Sequence, residues 1–453
     1  MKIETHNKII DYLRKIPGER VFLKFKNTHY TFSNILKLCE GFRDKYPELH
    51  EKNCAILSED RETLAIYLPV IDSICSNIFF QPDDIHGNET DFYQSANIEF
   101  IVRLGNCDVI SVEEVYIAHS SSNKLKKTAG YILATSGTTG TPKLAKYSLG
   151  SLIATTQMNV ERGAEFIWGL SYDINRFAGL QVYLQAIVSG STLVIPSKSD
   201  GIDSLIRLYA NNNVNCLSAT PSFWRKVLMI PFHKSIPLKR ITLGGEISNQ
   251  NILTALSNSF PNANIIHIYA STEAGVGFAV KDKVEGFPLN FLDSLASIPC
   301  KLKVKDGLLW IKSSHGCSDF VGGELNVDSD GFINTGDLIE IKENRVLFLG
   351  RESGSINVGG NKVMPEKVEA VLENSPYVCL ANVFAKKNPV LGSLVSSDLV
   401  LTALGESISS KDLKTELIAF CRSKLEPYEI PVLFKRVDFI ETNSTGKKIR
   451  KKQ

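Results

Sequence analysis

From about residue 130 to 280, short apolar runs alternate with stretches whose apolar positions recur every three or four residues. Phe166-Ile167-Trp168 predicts a strand and Leu180 to Val188 a helix. Thr192 to Ile195 predicts another strand, Ile202 to Ala210 a helix, and Val214 to Leu217 a strand. Thr220 then stands as a helix N-cap, with Pro221 at the first helical position, where its missing N–H costs nothing. Ile241-Thr242-Leu243 and Ile265 to Tyr269 continue the series. Strands in alternation with helices predict a parallel sheet covered on both faces. Residues 20 to 115 carry a weaker version of the same pattern.

The period changes after residue 300. "KLKVKDGLLWIKSS" alternates apolar and polar positions about Asp306-Gly307, a hairpin signal. Short β segments continue through "FINTGDLIEIKENRVLFLG", with a turn at Glu343-Asn344, and predict a small antiparallel or barrel-like subdomain. Beyond Arg351, helices (Glu366 to Glu373, Lys411 to Lys424) lie among strands (Val378 to Phe384, Leu399 to Ala403). The expected fold class is α/β. A large N-terminal domain (residues 1–350) would join parallel, helix-covered sheets to the β-barrel-like subdomain, and a small α+β domain (351–453) would follow.

Composition narrows the class. At 453 residues the chain exceeds the size of one core, so more than one domain is expected. Fifty-one basic against forty-nine acidic residues leave a net charge of +2, so nucleic acid is not an expected partner. Nine dispersed cysteines, without C-x-x-C pairs, read as reduced thiols of a cytoplasmic protein. "MKIETHNKIIDYLRK" is charged and amphipathic, unlike a signal peptide. The apolar run from Leu64 to Phe80 contains Asp72 and is marginal in length for a membrane span, so none is expected.

Five stretches carry chemistry. "TSGTTGTPK" (135–143) follows a strand. Gly137 and Gly140 let backbone N–H groups approach an anion, Thr135, Ser136, Thr138, Thr139 and Thr141 add hydroxyls, and Lys143 adds charge. It is not a Walker A loop: Gly140 is followed by Thr-Pro-Lys, and Pro142 disfavours the helix start that such a loop uses. Taken alone, the stretch reads equally as a surface turn. In "IYASTEAG" (268–275), Thr272 can meet a phosphate and Glu273 can hold Mg²⁺. "NTGDL" (334–338) offers Asp337 to a ribose diol. "GRESGSINVGGNKVMPEKVE" (350–369) joins the β region to the last domain, and "NSTGKKIRK" (443–451) supplies a Gly-Lys near the end.

In their order, these strings resemble the adenylate-forming superfamily of acyl-CoA synthetases, nonribosomal-peptide adenylation domains and luciferases. The resemblance runs from about residue 20 and is densest at 130–148, 240–275, 334–369 and 443–450. It implies that Thr135 to Lys143 covers the β- and γ-phosphates of ATP. Tyr269 would lie against adenine, Thr272 would reach the α-phosphate and Glu273 would hold Mg²⁺. Gly245 and Glu246, in "LGGEI", would line the adenine and acyl pockets. Asp337 would bind ribose, assisted by Arg351. Lys447 would bridge the substrate carboxylate and the α-phosphate, where two anions meet and need neutralising. Without the resemblance, Lys447 reads as part of a solvated basic tail with Lys448, Arg450, Lys451 and Lys452.

The family rotates its C-terminal domain between adenylate formation and thiol transfer. Gly359-Gly360 would then line a pantetheine tunnel. The hinge position, usually Asp or Lys, is Ser353 here, and Asn357 stands where lysine is frequent. The acyl pocket would involve Phe177, Gly245 and Gly275. Many family synthetases carry a histidine three residues before a pocket glycine, and counting back from Gly179 gives Arg176. Arg176 can gate the pocket, pair with a second substrate carboxylate, or simply face water at a helix start. Asp173 is a candidate ammonium binder, about four residues early for that role. The expected reaction is activation of a small carboxylic acid by ATP and Mg²⁺, then transfer to coenzyme A. One alternative hands the acyl group to a carrier protein in trans, and another is a catalytically silent nucleotide-binding protein. A homodimer is a further expectation.

Overall fold

A computed structural model of the chain describes residues 8–82, 89–116, 130–135, 143–293, 296–321, 325–389, 392–442 and 447–450. The alternating pattern folds into two large sheets. One has eight strands in the order Gly275–Val280, Asn264–Ser271, Arg240–Leu243, Cys216–Ala219, Ile167–Gly169, Thr192–Val194, Val21–Phe25 and Thr28–Thr31. Its inner six are parallel, and each end is closed by an antiparallel strand. The other has seven strands, with Gly130–Thr135, Asn77–Phe80, Asn53–Ser58 and Phe100–Gly105 parallel at its centre.

One apolar core spans both sheets, from Phe22 and Leu23 through Tyr131 and Leu133 to Leu193 and Ile195. Helix Arg61–Ile74 runs through it and ends before strand Asn77–Phe80, so the apolar run from Leu64 is an interior helix followed by an interior strand. Asp72 is tolerated there because its carboxylate accepts from the Ile9 N–H at 2.7 Å and the Tyr131 hydroxyl at 2.6 Å. None of the helices in the described residues is long and apolar enough to cross a membrane.

The period-two segments after residue 285 form a five-stranded antiparallel sheet in the order Phe287–Pro288, Arg345–Arg351, Ile333–Lys342, Leu308–Ser313 and Cys300–Lys305. Asp306 and Gly307 both have positive φ at its first hairpin, as does Glu343 at the second turn. After Arg351 a separate core begins, with Ile356, Val358, Val363, Val368, Leu372 and Val383 among its members. Several boundaries differ from the sequence reading by a few residues. The strand expected at Val214 forms at Cys216–Ala219, because the Val214 N–H still bonds back to the Tyr209 carbonyl of the preceding helix. The last predicted strand ends at Leu401, since the Thr402 side chain caps a helix, Ala403–Glu406.

Candidate active site

Three neighbouring parallel strands, Cys216–Ala219, Arg240–Leu243 and Asn264–Ser271, end on the same edge of the eight-stranded sheet. Ligands of open α/β sheets bind beyond such carboxyl ends. The residues just past them are Thr220, the pair Gly245 and Glu246, and the pair Thr272 and Glu273. Gly245 has φ +83°, and a Cβ there would lie 3.5 Å from Thr220 Cγ2 and 3.7 Å from Lys447 Cε. The C-terminal lysine therefore lies directly over this edge. Glu246 joins the two domains: its Oε2 accepts from the Ser222 N–H at 2.8 Å and its Oε1 from the Lys448 N–H at 3.3 Å.

Tyr269 stands on the third strand, its ring stacked with Phe278 and with Phe348, both at 5.2 Å between centroids. Its hydroxyl donates to Asp337 Oδ2 at 2.6 Å. Burial, and then the Asp337 charge, hold that phenol well above its usual pKa, so it remains a donor. Asp337 and Arg351 face each other across adjacent antiparallel strands, and Arg351 Nε donates to Asp337 Oδ1 at 3.2 Å. Burial of the guanidinium works against its charge, but Asp337, Tyr269 and Glu273 outweigh it and raise its pKa. One carboxylate is thus oriented from two sides while a small part of it stays exposed.

Lys447 has surface open to the cleft, yet the protein mass around it, followed by the Arg351 charge, lowers its pKa. Glu246, Asp337 and Glu273 oppose that shift without cancelling it. Tyr147 anchors the Thr272 carbonyl with its hydroxyl, and the Glu273 carbonyl accepts from the Cys317 N–H at 3.1 Å. The strand after Glu273 approaches so closely that a Cβ on Gly275, at φ +71°, would meet the His315 carbonyl oxygen at 2.4 Å.

Other sequence-singled residues lie around this centre. Thr135 and Lys143 are paired residues of the antiparallel strands Gly130–Thr135 and Lys143–Tyr147, so Lys143 begins a strand, whereas the lysine of a Walker loop opens a helix. Ser136 to Pro142 lie outside the described residues, and Lys143 Nζ sits 5.6 Å over the Phe320 ring. Arg176 is only 5% exposed at the N-cap of helix Phe177–Ser189, and Phe177 packs on Tyr147 with 5.5 Å between rings. Asp173 is engaged by Arg61 Nε at 2.7 Å. Gly359 and Gly360 form the exposed tip of the hairpin Ile356–Val358/Asn361–Val363. Ser353 lies in a short exposed turn, Glu352–Gly354. Asn357 Oδ1 accepts from the Gly360 N–H at 2.8 Å.

The solvated-tail reading fails for two of its members. Lys448 Nζ is buried between Glu369 Oε2 at 3.1 Å and Glu373 Oε1 at 2.9 Å, and Arg450 pairs with Glu366 at 2.8 Å and Glu369 at 3.1 Å. Sequence reasoning missed this network. Its signal was present: Glu366, Glu369 and Glu373 share one helix face by spacing, and Lys448 and Arg450 share one side of an extended segment.

Among the described residues, no group of three or more His, Cys, Asp or Glu side chains is arranged to hold a metal. Mg²⁺ needs no such cage, since it usually takes one or two carboxylates and completes its shell with phosphates and water. Glu273, half-buried beside the cleft cations, fits that part.

Residues 88–306 match the family profile described as AMP-binding enzyme, and residues 367–447 match the AMP-binding enzyme C-terminal domain. The chain belongs to the adenylate-forming, AMP-binding enzymes. A 2-succinylbenzoate–CoA ligase of Bacillus velezensis is 25% identical over 99% of this chain and 98% of its own length. Among solved structures, an anthranilate CoA ligase in complex with anthranoyl-AMP shares the fold with a TM-score of 0.77, at 14% identity over 98% of this chain and 96% of its own. The o-succinylbenzoate coenzyme A synthetase of Bacillus subtilis, in complex with ATP and magnesium ion, does so with a TM-score of 0.70, at 18% identity over 98% of each chain.

Proposed function

We propose that the acid activated by this chain is 2-succinylbenzoate or a close aromatic dicarboxylate. The reaction class is that of an AMP-forming acid–thiol ligase: a carboxylic acid and ATP give an acyl-adenylate and pyrophosphate, and coenzyme A then yields a thioester and AMP. The observation that carries the substrate reading is the match to a 2-succinylbenzoate–CoA ligase along nearly the whole of both chains. The buried Arg176, at the start of the helix beside the expected acyl pocket, supports an acid with a second carboxylate.

In this reading the substrate carboxylate oxygen forms a bond to the α-phosphorus as the bond to the β-phosphate oxygen breaks and pyrophosphate leaves. Lys447, held over Gly245, neutralises the approaching carboxylate and the α-phosphate together. Asp337, oriented by Tyr269 and Arg351, holds the ribose. Thr272 reaches the α-phosphate, and Glu273 would hold Mg²⁺, which when bound offsets phosphate charge. Lys143 steadies the charge of the departing phosphates. In the second step the coenzyme A sulfur bonds to the acyl carbon and AMP leaves, with Gly359-Gly360 leaving room for the pantetheine arm.

ATP–pyrophosphate exchange across a panel of carboxylates tests this. 2-Succinylbenzoate should support the fastest exchange, and free coenzyme A should suffice as acceptor. Absence of exchange with every acid would overturn the enzymatic reading. Arg176→Glu should erase the preference for dicarboxylates, and unchanged selectivity would remove Arg176 from the pocket.

A further inference from the structure

We infer that Arg225 and Glu373 form a latch that positions Lys447 for adenylate formation. The inference rests on the adenylating role given to Lys447 above. Arg225 belongs to the N-terminal domain, on helix Pro221–Met229, and Glu373 to the C-terminal domain, at the end of helix Pro365–Glu373. Arg225 Nη2 lies 2.8 Å from Glu373 Oε2, with the two side chains only 11% and 3% exposed. The other Glu373 oxygen, Oε1, is 2.9 Å from Lys448 Nζ. One buried carboxylate therefore ties an N-terminal-domain cation to the residue next to Lys447.

The tie is fixed at both ends. Arg225 Nη2 also donates to Asn249 Oδ1 at 3.1 Å, which steers the guanidinium from a second helix of its own domain. Lys448 Nζ donates to the Ala381 carbonyl at 2.7 Å and pairs with Glu369, anchoring it in the C-terminal domain. The Lys448 backbone N–H meets Glu246, beside the Gly245 against which Lys447 rests. A rotation of the C-terminal domain, of the kind the resemblance implies, would break the Arg225–Glu373 pair, whereas Lys448–Glu373 and Lys448–Glu369 lie within that domain and would survive. The pair is therefore present only when Lys447 is in the cleft. Because it is desolvated, its strength depends on partner identity and geometry more than on ionic strength. The family comparison assigns neither residue a role.

Arg225→Ala isolates the latch, because Glu373 keeps Lys448 as its counter-charge and the C-terminal domain keeps its internal network. Removing one member of a buried charge pair should slow ATP–pyrophosphate exchange by at least about tenfold. Thioester formation from chemically prepared acyl-adenylate and coenzyme A should be unchanged or faster. Arg225→Lys, which keeps a cation, should recover most of the exchange. A simple loss of stability would lower both half-reactions together, and that result, or no change in either, would overturn the latch.

A second readout needs no acid. In the full chain with ATP alone, amide hydrogen exchange at residues 447–450 should accelerate several-fold in Arg225→Ala and stay near wild type in Arg225→Lys, with strand Val378–Asn388 unaffected. Equal exchange at 447–450 in all three proteins would refute the latch even if no carboxylate tried supports activity.

Discussion

Tyr269→Phe removes one oxygen and leaves the rest of the Tyr269 site in place. The ring keeps its stacked neighbours Phe278 and Phe348, so packing is preserved. What disappears is the 2.6 Å hydrogen bond to Asp337 Oδ2, a bond to a carboxylate whose side chain is only 15% exposed. Hydrogen bonds to charged groups contribute about 1.5–3 kcal/mol, and the lower end applies because Arg351 still holds the other oxygen. A loss of about 1.5 kcal/mol corresponds to roughly tenfold weaker binding. Asp337 is assigned to the ribose, remote from the phosphorus under attack, so the loss falls on ground state and transition state alike. The KM for ATP in pyrophosphate exchange should rise about tenfold while kcat stays within about twofold. An unchanged KM in a folded variant would refute the ribose assignment. A fall in kcat at constant KM would place Tyr269 and Asp337 beside the phosphorus under attack instead of at the ribose.

Three further outcomes concern Lys447 and Gly275. Lys447→Ala should reduce exchange by about 10²–10³, the usual loss for one preorganised charge partner. The Lys447 ammonium is depressed by its surroundings, so the charged form is present below its pKa and lost as pH rises through it. The kcat/KM for exchange, which reports the free enzyme, should therefore decline on the alkaline side at a pH below the ordinary lysine range. Lys447→Arg, permanently charged, should abolish that decline even if it is slower; a limb that persists in the arginine variant would belong to another group. Gly275→Ala combines a positive φ with a Cβ driven against the His315 carbonyl, and should lower stability by about 2 kcal/mol or more, read as an earlier midpoint in urea. An unchanged midpoint would mean that the two segments do not approach as described.

The chain's own pattern determined most of the architecture, because burial has a period. Alternating apolar runs and helical spacings between 130 and 280 announced a covered parallel sheet, and Asp306-Gly307 announced its hairpin. Periodicity says when a side chain is buried but not what it meets. Asp72 interrupts an apolar run in the sequence, and only the arrival of the Ile9 N–H and the Tyr131 hydroxyl makes it an interior residue. The site was legible as strings because their spacing is local: Thr272-Glu273 past a strand, Asp337 after Thr-Gly, a lysine near the end. Their convergence was not, since Tyr269 and Asp337 are joined by a side-chain bond across 68 positions of chain. The sharpest division falls at the basic tail. By charge Lys447 and Lys448 are alike, and only the Gly-Lys string of the resemblance singles out Lys447. The tertiary structure separates them: Lys448 is sunk between Glu369 and Glu373, whereas Lys447 extends over Gly245. That difference follows from which carboxylates the fold brings within reach, and those lie about 75 residues earlier in the chain.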